Sequence, residues 1–192
     1  VNNIKSLNFF RDVKSEILDG KDDKSKIVNI TVDEKPTGEL MAGAAFGTSG
    51  GSIIFGVKEN NFLGNGISLD ANLDLGTDSI KGKFIINDPN YKNTDNSLNM
   101  EVLVIETDRL EDSGYKTNKT GFSIGTGFEY YDDLYLNLGN SLTYEKLETD
   151  STASSRQKKQ EGDYFDGFLN LSLDYDKRNQ KFQTTDGFRS FY

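Results

Sequence analysis

Along most of its length this chain alternates apolar and polar residues with a period of two. In Ile67–Leu75 the apolar set is Ile67, Leu69, Ala71, Leu73 and Leu75, with Ser68, Asp70, Asn72 and Asp74 between them. Such alternation places the two sets on opposite faces of a β-strand. The pattern recurs in Gly38–Gly47, Ser52–Lys58, Ile80–Asn87, Leu98–Ile105, Phe122–Phe128, Leu134–Tyr144 and Phe165–Tyr175, and a ninth strand starts at Gly187. Gly, Asn and Asp separate the segments, as turns require. The expected fold is mainly β and antiparallel.

Two architectures use strands of this kind. One is a water-soluble sandwich or barrel; the other is a transmembrane barrel, apolar outside and polar inside. Three features favour the membrane. The polar sets hold small and charged residues rather than a second core. Phe62, Tyr91, Tyr130, Tyr131, Tyr144 and Tyr164 stand near segment ends, where interfacial aromatics belong. The segments also have the length of a tilted crossing. No apolar run approaches a membrane-spanning helix, and hydrophobic residues are only 34% of the 192.

Composition narrows the chemistry. The chain has no Cys and no His, which excludes a disulfide framework, a thiolate nucleophile, an imidazole base and an ordinary zinc site. No cofactor and no metal are expected. A net charge of −9 argues against a nucleic-acid partner, which needs a basic face. Asp132-Asp133 and Asp22-Asp23 are adjacent in sequence, so on a strand they face opposite ways and cannot cooperate; they read as turn charges. No catalytic residue is expected, and the chain does not read as an enzyme.

Residues 1–36 have a different character. Val1–Leu7 has the spacing of a helix end, through Ile4 and Leu7. Val13–Ile17 and Ile27–Val32 read as two strands joined by the acidic turn Asp19–Lys26. Lys21 stands where a calcium loop needs a carboxylate or Asn, so that turn is not read as a calcium site. Lys35-Pro36 ends the second strand and reads as a hinge. The segment is too short to bury a core and residue 1 is Val, so the chain is expected to be an internal piece of a longer protein. Beyond the hinge, Thr107–Lys119 and Leu147–Asp163 read as long solvated loops on one side of the barrel.

Several short runs carry a resemblance. Asn60-Asn61-Phe62-Leu63-Gly64-Asn65-Gly66 resembles the turn after barrel strand two in the BamA family of outer-membrane assembly factors. Leu7-Asn8-Phe9-Phe10-Arg11-Asp12-Val13 is similar to the run after the second helix of a POTRA repeat. Val32–Gly38 resembles the junction of the last POTRA domain with the barrel. Asp88-Pro89-Asn90-Tyr91 is similar to the family's Asn-Pro-Tyr turn with one residue inserted, and Thr185-Asp186-Gly187 matches the tail of a Pro-Thr-Asp-Gly turn with Thr184 in place of Pro. The runs occur in the family's order along the whole chain.

The resemblance implies residues 1–36 as the C-terminal part of a POTRA domain, in the periplasm. It implies residues 37–192 as the N-terminal half of an antiparallel barrel in the bacterial outer membrane, about eight or nine strands of a larger one. The implied function is insertion of other barrels, with unfolded outer-membrane proteins as clients, accessory lipoproteins as partners and the bilayer as medium. Strand one is then the edge of a lateral gate, to which a client strand adds. Its residues are Gly38, Glu39, Leu40, Met41, Ala42, Gly43, Ala44, Ala45, Phe46 and Gly47. Taken without the resemblance, so many small residues equally suit barrel curvature. Asn61, Phe62, Leu63, Gly64 and Gly66 form the family turn. The nearest rivals are a TamA-like factor or a two-partner secretion transporter of the same superfamily. A passive porin-like channel fits less well, because it has no use for residues 1–36.

Overall fold

The computed structural model describes residues 4, 7–21, 25–47, 50–180 and 184–192. They fall into two compact units, Val1–Gly38 and Glu39–Tyr192. In the first, β1 (Phe10–Asp19) and β2 (Lys26–Glu34) form an antiparallel hairpin. Its register sets Val13 opposite Val32, Ser15 opposite Ile30 and Ile17 opposite Val28, so the apolar residues share one face. Both strands outrun the segments read from the sequence. Val13 alone of these is buried; Ile17 is 69% and Val28 56% exposed. Of the expected N-terminal helix, Ile4 is helical and Leu7 lies in a turn; the rest of that helix, and Asp22-Asp23, lie outside the described residues.

The second unit is one nine-stranded sheet. Its strands are β3 (Gly38–Gly47), β4 (Gly50–Phe62), β5 (Ile67–Gly76), β6 (Ser79–Asp88), β7 (Ser97–Arg109), β8 (Tyr115–Tyr131), β9 (Leu134–Thr149), β10 (Gly162–Asp176) and β11 (Arg189–Phe191). They lie side by side in chain order, with β3 at one end and β11 at the other.

Register converts separate alternations into one surface. Directly opposed residues in an antiparallel pair lie on the same face. Phe55 opposes Leu73, and Leu69 opposes Ile86. Phe84 opposes Val102, Val102 opposes Phe122, and Phe122 opposes Leu142. Leu138 opposes Leu171, and Leu136 opposes Leu173. Leu69, Leu73, Leu136, Leu138, Leu171 and Leu173 therefore share one face. They pack into no closed core: among the described residues of this unit the one buried apolar side chain is Ala153, in a loop. The opposite face holds Asp70, Asn72, Lys83, Ser123, Ser141 and Asn170, with ion pairs Lys83–Glu101 at 3.1 Å and Lys119–Glu145 at 3.7 Å. Both pairs are partly exposed and contribute below ~1 kcal/mol each.

The apolar face has a defined limit. Val104, Thr120, Tyr144 and Phe165 form one cross-strand row; the next row of that face is Glu106, Asn118, Lys146 and Asp163. Beyond this limit the strands continue. Lys116 pairs with Glu106 at 2.7 Å and Asp108 at 3.2 Å, and Lys146 with Glu148 at 2.5 Å. The two long loops expected from the sequence are thus shorter, Leu110–Gly114 and Asp150–Glu161. Backbone pairing persists where charges replace apolar residues, so the end of hydrophobic alternation is not the end of the strand.

These two connections are locked together. The Asp150 N–H donates to the Gly114 carbonyl at 2.8 Å. Gly114 has φ +72°, and a Cβ there would lie 2.4 Å from the Ala153 nitrogen and 2.5 Å from Asp150 Oδ1. The Thr152 N–H and hydroxyl both donate to Asp150 Oδ1, at 2.7 and 2.6 Å. The helical turn Ser155–Lys159 carries a capping box between Ser154 and Gln157. The side-chain hydrogen bond from Thr152 leads the causes that hold the Asp150 carboxyl below its ordinary value.

On the other side of the sheet, the β4–β5 turn is built on Asn61. Its Oδ1 accepts from the Gly66 N–H at 2.7 Å, its carbonyl accepts from Gly64 at 3.0 Å, and its own N–H donates to Glu59 Oε1 at 2.8 Å. Leu63, Gly64 and Gly66 all have positive φ, which explains two of the motif's glycines. Asp132 and Asp133 form the two-residue β8–β9 turn, Asp133 with φ +64°.

Two outcomes follow from this geometry. Replacing Asn61 with Ala leaves the Gly66 N–H without its acceptor and should cost about 1–2 kcal/mol, measured by denaturant unfolding of the reconstituted complete protein. The depressed Asp150 carboxyl stabilises the loop above its unfolded value near ~3.9. That stabilisation is lost as pH falls through the lower folded value. The protection factors of the Thr152 and Ala153 amides should fall below about pH 4 and stay constant from about pH 5 to 8; a fall in protection on raising the pH would contradict the assignment.

Candidate functional site: the edge at strand β3

Among the described residues strand β3 is hydrogen-bonded to β4 alone. All ten of its residues, Gly38–Gly47, are exposed. A strand with one partner presents a row of free N–H and C=O groups along its other side. Five of the ten residues are Gly or Ala between positions 42 and 47, so few side chains overhang that row. A Cβ added at Gly43 or Gly47 would meet nothing within 4 Å.

What holds β3 to β4 is legible in two contacts. A Cβ on Gly56 would lie 2.8 Å from Met41 Cε and 2.7 Å from Asn72 Oδ1, so Met41 lies over the gap in β4 that this glycine leaves. A Cβ on Gly51 would lie 3.2 Å from the Phe46 ring. Met41 thus shares the polar face with Asn72, while Phe46 lies on the apolar face at 89% exposure. By alternation Leu40, Ala42 and Ala44 share the face of Phe46. Cross-strand packing on β3 rests on few side chains, which weakens the pairing. Sequence reading singled out the small residues of β3 but not the role of Gly56 beneath Met41. Its signal was a glycine between Phe55 and Val57 within a strand.

The remaining residues singled out from the sequence are not part of this edge. The Asn61–Gly66 turn lies after β4. Lys35 is tied within the first unit: its N–H donates to the Phe9 carbonyl at 3.1 Å and its Nζ to Asn8 Oδ1 at 2.6 Å. Pro36 follows, exposed. Beside the far end of β3, Ala45–Gly47 border a hollow of about 380 Å³ that Asp74, Lys81 and Arg109 also line. Among the described residues no group of His, Cys, Asp and Glu is arranged to hold a metal.

This architecture has known counterparts. Residues 61–191, about two thirds of the chain, match the model of the Omp85 superfamily domain. Among solved structures, the crystal structure of BamA from Haemophilus ducreyi lacking POTRA domains 1–3 is similar, with a TM-score of 0.65 at 22% identity. That match takes in 99% of this chain and 40% of the other, so this chain spans about two fifths of the neighbour's length. At that identity the likeness is one of fold. The nine-stranded sheet, its single apolar face and the family match agree: the chain belongs to the Omp85 superfamily of outer-membrane β-barrel proteins.

Proposed function

We propose that the chain is the first half of the barrel of a BamA-like factor that assembles and inserts β-barrel proteins into the bacterial outer membrane. On this reading β3 is the edge of a lateral gate, and Val1–Gly38 is the end of a POTRA domain in the periplasm. The observation that carries the proposal is the light packing of β3 on its neighbour: six of its ten residues are Gly or Ala, with Met41 over Gly56 and Phe46 beside Gly51. A client's strand would add to its free N–H and C=O groups by β-augmentation. Backbone pairing tolerates many client sequences, as insertion of diverse barrels demands. The work is that of a template rather than an enzyme. Clients are unfolded outer-membrane proteins, accessory lipoproteins assist, and no cofactor takes part.

The test uses the complete protein. Successive residues of a strand direct their N–H groups to opposite sides, so Ala44→Pro and Ala45→Pro remove donors from different edges. One should destabilise the barrel by breaking β3–β4 pairing. The other should leave the barrel stable yet slow client insertion about tenfold. Photo-crosslinkers from Glu39 to Gly47 should capture the C-terminal strand of a folding client. If no position captures one, and neither proline slows insertion, β3 is not the template and a secretion pore of the same superfamily is the better reading.

The Met41–Gly56 contact yields a second expectation. Gly56→Val forces Met41 aside and should cost about 1–3 kcal/mol, read as faster amide exchange along β3. Adding Met41→Ala should recover most of the loss; equal exchange in both variants would show that the contact does not hold the edge.

A further inference from the structure

Asparagine followed by glycine occurs once in this chain, at Asn65-Gly66 in the β4–β5 turn. Such a pair can react with itself, because glycine has no Cβ to keep its nitrogen away from the preceding side-chain amide. The Gly66 nitrogen gives up its proton to water and bonds to Asn65 Cγ. The Cγ–Nδ2 bond then breaks and ammonia leaves. Water opens the resulting succinimide at either of its carbonyls, which puts aspartate or isoaspartate at position 65. Nothing is oxidised or reduced, and water is the only co-reactant.

Two conditions for this reaction are met in the turn. Asn65 is exposed to water. Among the described residues its side-chain amide has no hydrogen bond; only its backbone N–H is engaged, by the Phe62 carbonyl at 3.2 Å. The remaining condition is a Gly66 nitrogen free to lose its proton, and that is withheld. The Gly66 N–H donates to Asn61 Oδ1 at 2.7 Å. Asn61 is itself anchored, its N–H donating to Glu59 Oε1 at 2.8 Å and its carbonyl accepting from the Gly64 N–H at 3.0 Å. The acceptor therefore stays in place while the turn is closed. At Asp186-Gly187 the arrangement is the opposite: the Gly187 N–H donates at 2.8 Å to Asp186 Oδ1, on the very side chain it would attack. We propose that Asn65 is a latent self-modification site and that Asn61 is the residue that keeps it shut. The change is one-way. Isoaspartate adds a methylene to the backbone, and a turn built on left-handed Leu63, Gly64 and Gly66 cannot then return the Gly66 N–H to Asn61.

The test ages the complete folded protein in mildly alkaline buffer. Deamidation at Asn65 is read by peptide mass spectrometry, and isoaspartate by enzymatic methylation. Asn65 should react about tenfold more slowly in the native protein than in the urea-unfolded chain, the factor that one hydrogen bond of ordinary strength controls. Asn61→Ala should raise the native rate about tenfold. Asn61→Asp keeps an oxygen acceptor and should stay slow. Asn96-Ser97, at the start of β7, should react at one rate in all three proteins. Equal rates at Asn65 in native and unfolded protein, or in Asn61→Ala and the unsubstituted protein, would overturn the proposal. So would Asn61→Asp reacting as fast as Asn61→Ala, or a rise at Asn96 as large as that at Asn65, which would mark a general loosening instead.

Discussion

A peptide N–H or C=O left without a partner in hydrocarbon costs several kcal/mol, and a membrane supplies no water to take its place. The second unit is organised around that demand. Strands β4 to β9 are each flanked on both sides, so their backbone groups are met within the sheet, while β10 meets β11 only at Asp174–Asp176. Once pairing is compulsory, register becomes compulsory too. A slip of one residue between β8 and β9 would carry Leu136, Leu138 and Leu142 to the polar face. Among the described residues the unpaired edges are the sheet's two ends, and the proposed activity of β3 lies at one of them. The same deficit that makes an edge costly makes it adhesive.

Charge is handled by position rather than by pairing alone. Acidic and basic residues on the polar face stand in neighbouring strands, as Lys83 and Glu101 do, and each pair is weak. On the other face of β7 to β10 charges are absent between Leu98 and Val104 and their row partners, and appear together past Val104, Tyr144 and Phe165. The belt's edge is therefore a property of the sheet, shared by four strands, although no single strand's sequence draws it sharply. Strands β7 to β10 reach 13, 17, 16 and 15 residues, whereas β3, β5 and β6 have 10 each. The sheet stands taller on one flank than on the other.

Period-two alternation made the strand count, the two faces and the place of β3 legible before any coordinates. The reason is that each strand reports its own faces locally, and short turns impose chain order on the neighbours. Three things were hidden. Strand ends were misplaced wherever pairing continued through charged rows, as at Lys116 opposite Asp108, because hydrophobic pattern says nothing about hydrogen bonding. The Asn61 motif was visible as a string of residues, but its cause, an Asn side chain closing a turn through three left-handed residues, appears only in the backbone. Gly56 was hidden for a related reason: what a missing side chain accommodates depends on the neighbouring strand, and nothing local reveals Met41.

Surface loops of a protein ordinarily vary independently of one another. The contact at Gly114 removes that freedom. Its carbonyl receives the Asp150 N–H, and its missing Cβ makes room for the Asp150–Ala153 turn. Two segments almost forty positions apart are thereby bound into a single heritable cassette. A recombinant that imports one of them from a relative brings half of a fitted pair, so diversification at this rim proceeds by joint replacement. Variation at this rim is then steered towards the connections that carry no such lock.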